Sequence, residues 1–129
     1  MPNLTYAKEW LDRSKRNLET AVLLFNHNHY TDVIAIDIHQ TLEKAFKTVY
    51  AYKGIVIPRT HNLLPLYEFV IKELGIPDVT FDEILIISDY YETDRYPGPK
   101  YFIPSNEEIA LNIDLTIRIY NTIEVFINK

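Results

Sequence analysis

The stretch from Val33 to Val49, VIAIDIHQTLEKAFKTV, does most to limit what this chain can fold into. Ile34, Ile38, Leu42, Ala45, Phe46 and Val49 recur at steps of three and four, the period of a helix with a buried face. The same stretch carries Asp37, Gln40, Glu43, Lys44 and Lys47. Those steps stack Gln40, Lys44 and Lys47 along one side of the helix, with Glu43 beside them. Two readings follow. The stripe is a solvated face on which Glu43 and Lys47 form an i,i+4 pair worth a few tenths of a kcal/mol. Alternatively it is the polar wall of a groove, where Lys44 or Lys47 meets phosphate and Gln40 donates to a base or to a partner's backbone.

The flanking segments also read as helices. Trp10, Leu11, Leu18, Ala21, Val22 and Phe25 keep the helical period in a first helix from about Thr5 to Phe25, which Asn26-His27-Asn28-His29 breaks. Thr31 or Asp32 is the expected N-cap of the second helix, and Gly54 ends it. Thr60 is the expected cap of a third helix with Leu63, Leu66, Tyr67, Val70 and Leu74 inward, closed by Gly75 and Pro77. Thr80, with Asp82 and Glu83 behind it, opens a fourth helix to about Tyr91. Glu92 to Pro104 reads as a loop that packs down through its aromatic residues. Ser105 and Glu108 form a capping box for the last helix. There Ile109, Leu111, Ile113, Leu115, Ile117 and Ile119 alternate with other residues, a strand-like period. The capping box, the break at Tyr120 and the nineteen residues from Ile109 to Ile127 favour helix. Its wide apolar arc leaves Asp114, Arg118 and Asn121 on a narrow polar face and predicts burial on two sides, in the bundle or in a dimer. The expectation is a single all-α domain over residues 1–129, an up-and-down four-helix bundle with a fifth short helix.

Composition narrows the function classes. The 129 residues carry a net charge of −5, with no cysteine, 47% hydrophobic and 24% charged residues. This suits one soluble, cytoplasmic domain without disulfides or thiol chemistry. The charged first helix is no signal peptide, and no uncharged apolar run is long enough to span a bilayer, so no membrane partner is expected. Residues 1–53 hold seven Lys/Arg against six Asp/Glu, and residues 54–129 hold six against twelve. An extended nucleic-acid surface needs concentrated positive charge and is not expected. With only Gly54, Gly75 and Gly98, the chain has no glycine-rich phosphate loop. His39 and Glu43 are four apart and could share a metal, but no H-E-x-x-H or Cys/His cluster accompanies them, so neither metal nor other cofactor is expected.

Two further motifs stand out: Pro58-Arg59-Thr60-His61-Asn62-Leu63 and Arg95-Tyr96-Pro97. On its own, His61 reads as an imidazole bonding the turn between helices, since no acid or nucleophile adjoins it in sequence. Arg95 either pairs with a carboxylate of Asp89-Tyr90-Tyr91-Glu92-Thr93-Asp94 or presents its planar fork to a phosphate, with Tyr96 or Tyr91 stacking on a base.

The Q-x-x-E-K-x-x-K helix, the P-x-T-H-x-L turn and the R-Y-P loop together resemble the HEPN domain family across nearly the whole chain. The resemblance implies a small helical module associated with nucleotides, with a nucleotidyltransferase partner and with homodimers. Catalytic members carry an Arg followed after four to six residues by a His, which cleaves RNA across a dimer. That pair is missing here, since Arg118 has no His after it. The implied role is therefore non-catalytic: binding a nucleotide, partnering a minimal nucleotidyltransferase subunit, or both. Gln40, Glu43, Lys44, Lys47, His61, Arg95 and Tyr96 are the expected nucleotide-binding residues. The alternatives are a ribonuclease toxin of a toxin–antitoxin pair, with His61 and Arg95 as substitute groups, and a ligand-free interaction module.

Overall fold

A computed structural model of the chain describes residues 3–76, 78–95 and 103–129, apart from the side chains at 93–95. Among these residues the secondary structure consists of five helices: α1 (Leu4–Asn26), α2 (Thr31–Lys53), α3 (Leu63–Glu73), α4 (Phe81–Arg95) and α5 (Asn106–Ile127). They form an all-α up-and-down four-helix bundle of α1, α2, α4 and α5, to which the short α3 adds a fifth helix.

The hairpin of α1 and α2 is the spine. Ala7, Leu11, Ser14, Leu18 and Ala21 are the buried residues of α1, in alternating steps of four and three. Ile38, Leu42, Ala45 and Val49 keep the same alternation within buried α2. This is the spacing of a knobs-into-holes seam. Ala7, Ser14 and Ala21 are fully buried and small, which lets the two backbones approach closely. Ser14 satisfies its hydroxyl by donating to the Thr41 carbonyl at 2.7 Å. Between the helices Asn28 takes the left-handed conformation at φ 56°, which asparagine tolerates better than most residues.

The helix ends refine the sequence expectations. Neither Thr31 nor Asp32 caps α2: Tyr30 holds the cap position without a side-chain bond. Thr31 lies inside the helix and donates instead to the Pro104 carbonyl at 2.6 Å, tying α2 to the entry of α5. Thr60 is likewise not the cap of α3. Asn62 is, accepting from the Leu64 amide at 3.1 Å, while Thr60 accepts from the Asn62 amide one step earlier. Gly54 ends α2 at φ 72°, a value that favours glycine. Thr80 and Glu83 bond reciprocally at the start of α4. That helix runs on to Arg95 because neither glycine nor proline intervenes before Pro97. Residues 96–102 of the expected loop lie outside the described residues.

α2 packs against all four other helices, which explains why its apolar residues are not confined to one stripe. Phe46, Ile38 and Leu42 of α2 meet Leu66 of α3, Ile84 and Ile87 of α4, and Ile119 and Ile123 of α5 in one core. α5 is helical throughout. Its strand-like alternation arises because Ile109, Ile113, Ile119 and Ile123 face inward while Leu111 and Val125, 72% and 59% exposed, face out. Tyr90 of α4 is locked to α5 by hydrogen bonds to Glu108 and to Asn112. Burial and the Glu108 carboxylate push its phenol far up, so it stays neutral.

Phe46 is wholly buried at the meeting point of these helices. Phe46→Ala should lower stability by about 3–5 kcal/mol, whereas exposed Leu111→Ala should stay within about 0.5 kcal/mol. Urea unfolding followed by circular dichroism checks both.

Candidate functional site

Glu43 organises the polar side of α2. It is only 5% exposed, and Lys47, one turn on, only 7%. Glu43 and Lys47 are therefore not on a solvated face, although they form the expected i,i+4 pair. A buried carboxylate is strongly disfavoured unless it is paired and hydrogen-bonded. Glu43 meets that demand with both oxygens: Oε2 accepts from Lys47 Nζ at 3.0 Å and Oε1 accepts from His61 Nδ1 at 2.9 Å. The Lys47 ammonium also lies 5.8 Å from the centre of the Trp10 ring on α1, a cation–π contact.

His61 sits on the α2–α3 connection and is held at two points. Its ring goes to Glu43, and its carbonyl accepts from Nε2 of His39 at 2.9 Å. His39 precedes Glu43 by one helical turn, so two successive turns of α2 fix one residue of the connection. A carbonyl can only accept, so Nε2 of His39 carries the proton. Its Nδ1 has no hydrogen-bond partner among the described residues and lies 3.8 Å from Glu43 Oε1. Burial pushes the His39 pKa down, against the opposing pull of Glu43 and of the His61 carbonyl. Tyr91 of α4 completes the cluster: its ring stacks on His61 at 4.3 Å and 18°, and lies 5.4 Å from His39.

With Nδ1–H committed to Glu43, His61 can act on a ligand only through Nε2, from a side chain that is half exposed. The ring lines a cleft of about 480 Å³ between the α2–α3 connection and α4, together with Arg59, Asn62, Leu85, Ser88 and Tyr91. Ser88 braces this wall by accepting from the Leu63 amide at 3.0 Å and donating to Asn62 Oδ1 at 3.3 Å. The volume is in the range of small-molecule sites.

The expected site residues divide. Glu43, Lys47 and His61 form one hydrogen-bonded cluster. Lys44 points to α1: its Nζ donates to Asn17 Oδ1 at 2.7 Å, and Asn17 in turn donates to Asp37 at 3.1 Å. Burial lowers the Lys44 pKa and raises that of Asp37. Among the described residues Lys44 lines a separate hollow and not the His61 cleft. The reason is rotation: successive helix residues diverge by about 100°, and Lys44 turns away from its neighbour Glu43. Gln40 is half-buried and makes no side-chain hydrogen bond among the described residues. The Arg95 side chain and Tyr96 lie outside the described residues. Sequence reasoning missed Trp10, His39 and Arg59 as parts of the site. Only the i,i+4 spacing of His39 and Glu43 hinted at their association, and it pointed to metal. Among the described residues no cluster of three or more His, Asp or Glu is arranged to hold an ion, and no helix is long and apolar enough to cross a membrane.

The HEPN domain model matches residues 7–126. The chain belongs to the HEPN family. A relative from Methanocaldococcus jannaschii, named "Putative toxin MJ1304", is 33% identical over 107 residues, covering 78% of this chain and 68% of the relative. Two solved structures share the fold. TT1696 from Thermus thermophilus aligns at a TM-score of 0.75 and 22% identity over 92% of this chain and 96% of its own. ST0689, an archaeal HEPN homologue, aligns at 0.70 and 21% over 94% and 97%.

Acid should loosen this HEPN site through His39. Its folded pKa lies below the ordinary value of 6.5, so the unfolded chain binds the proton first. Stability is therefore full above about pH 6.5 and falls as pH drops from there toward the folded value. Asp37, raised by burial, works in the opposite sense at lower pH, because its folded form takes up a proton more readily. Unfolding midpoints between pH 7.5 and 5 should decline in the native chain and flatten in His39→Gln. Equal slopes would exclude His39 as the cause.

Proposed function

We propose that this HEPN domain is a binding module, that its ligand is a nucleotide held in the His61 cleft, and that it works beside a separate nucleotidyltransferase subunit. The observation behind this reading is the Glu43–His61 hydrogen bond at 2.9 Å, made by a carboxylate that is almost wholly buried. Charged groups buried this deeply and aimed at a cleft mark functional sites more often than surface pairs do. The half-exposed His61 ring, stacked on Tyr91, offers a platform for a base. Arg59, which makes no ion pair among the described residues, offers a fork for phosphate. Lys47 and His39 act as positioning residues, one balancing Glu43 and the other fixing the His61 backbone. Arg95 and Tyr96, which follow Tyr91 closely in sequence, are assigned to the same ligand. A homodimer through the exposed side of α5 belongs to the same proposal.

Calorimetry with ATP, GTP and UTP tests it. Arg59→Ala and His61→Ala should each weaken binding about tenfold, the equivalent of one charge-assisted contact. Lys44→Ala, outside the cleft, should change it little. No heat and no thermal stabilisation with any of the three nucleotides would sink the reading.

One observation favours ribonuclease action as the second reading. A carboxylate that fixes the imidazole tautomer is the arrangement used for general acid–base catalysis, and a relative carries a toxin name. Metal-independent RNA cleavage by the purified protein, lost in His61→Ala, would install it in place of the first.

A further inference from the structure

The opposite flank of Glu43 carries a second surface that shares only Arg59 with the lining of the His61 cleft. Two adjoining hollows of about 580 and 340 Å³ share Tyr6 and Trp10 as a common wall, where α1 begins and the α2–α3 connection runs past it. Tyr6 meets Trp10 edge to face at 6.3 Å. The larger hollow reaches Lys47, Val56 and Arg59, and the smaller reaches Glu9, Arg13 and Lys44. Four cations thus border the groove. Its two carboxylates are Glu9 and Glu43, and Glu43 is already ion-paired with Lys47 and hydrogen-bonded to His61. Among the described residues Arg13 and Arg59 make no ion pair. A locally basic groove is an exception in a chain of net charge −5.

The groove is also apolar. Val56 is 89% exposed, and Tyr6 and Ile55 are each more than two-fifths exposed. The Trp10 indole N–H finds no acceptor among the described residues. Aliphatic side chains held open beside cations suit a peptide better than a nucleic-acid strand, which would need a longer run of positive charge and would be repelled by Glu9.

We propose that this groove docks an extended acidic segment of a partner protein. Carboxylates of the segment pair with Arg13 and Arg59, and a large apolar side chain between them rests on Tyr6 and Val56. Charge complementarity of this kind fixes partner choice and register. Arg59 borders both sites, whereas Arg13, Tyr6 and Val56 belong to this groove and not to the His61 cleft.

Trp10 is the only tryptophan in the chain, so its emission reports on this groove directly. The probes are decapeptides alternating Glu with Leu or Phe, their Gln counterparts, and oligouridylate. The acidic peptides should shift Trp10 emission saturably, and the Gln peptides should bind at least about tenfold more weakly. Arg13→Glu and Val56→Asp, both at exposed positions, should each weaken the acidic peptide by a similar factor while circular dichroism stays unchanged. The proposal is overturned by any of four results: Gln peptides binding as tightly, affinity untouched in both variants, oligouridylate binding more tightly than peptide, or no emission change with any peptide. Nucleotide calorimetry on Arg13→Glu should match the native chain, which separates the two surfaces.

Discussion

The Glu43 carboxylate is the contact on which the rest of the polar architecture depends. Left alone in the interior, such a group would cost several kcal/mol, and its net value even when paired is small. Its two oxygens are satisfied by partners from different parts of the chain, Lys47 on the same helix and His61 across the turn. The α2–α3 connection is therefore pinned to α2 by a bond that the helix needs in order to keep its own charge. His39 adds a second pin to the backbone of the same residue. Removing the carboxylate would release His61 and also strand a buried lysine, so stability and site geometry fail together.

The hairpin of α1 and α2 sets where that carboxylate can face. Ala7, Ser14 and Ala21 bring α1 close enough for Asn17 to reach both Asp37 and Lys44. That seam draws Lys44 toward α1 and leaves Glu43 to turn toward α4 and the connection. Adjacent residues with opposite charges thus bond in different directions, Glu43 to His61 and Lys44 to Asn17. The exposed ends of the polar stripe follow from packing as much as from sequence order.

Much of the fold was legible in the residues. Period, glycines and capping boxes located all five helices, and Ser105 and the Thr80–Glu83 pair behave as their spacing predicts. The two mistaken caps have different causes. Thr31 gives its hydroxyl to Pro104, a carbonyl distant in sequence, and Thr60 lost to Asn62 because both types can accept from nearby amides and only the turn geometry decides between them. The stripe on α2 was visible, but its burial was not. Helical spacing reports which residues share a face, and what covers that face is a matter of tertiary packing. His61 lies eighteen residues from Glu43, beyond the reach of any periodicity argument, so the acid absent from its sequence neighbourhood is supplied by the adjoining helix.

The tautomer of His61 links structure to the choice between its two roles. Once Nδ1–H is given to Glu43, a neutral ring presents a lone pair at Nε2 and can only accept. A neutral Nε2 cannot donate to a phosphate oxygen, so an anionic group in the cleft falls to Arg59. Removing a proton from a ribose hydroxyl would use that same Nε2 lone pair. His39 sharpens the contrast, because acidity weakens the fold around the same ring by charging its buried neighbour. The stacking platform of Tyr91 and the fork of Arg59 favour binding because neither depends on the His61 proton, so a ligand can be held near neutrality where the support is intact.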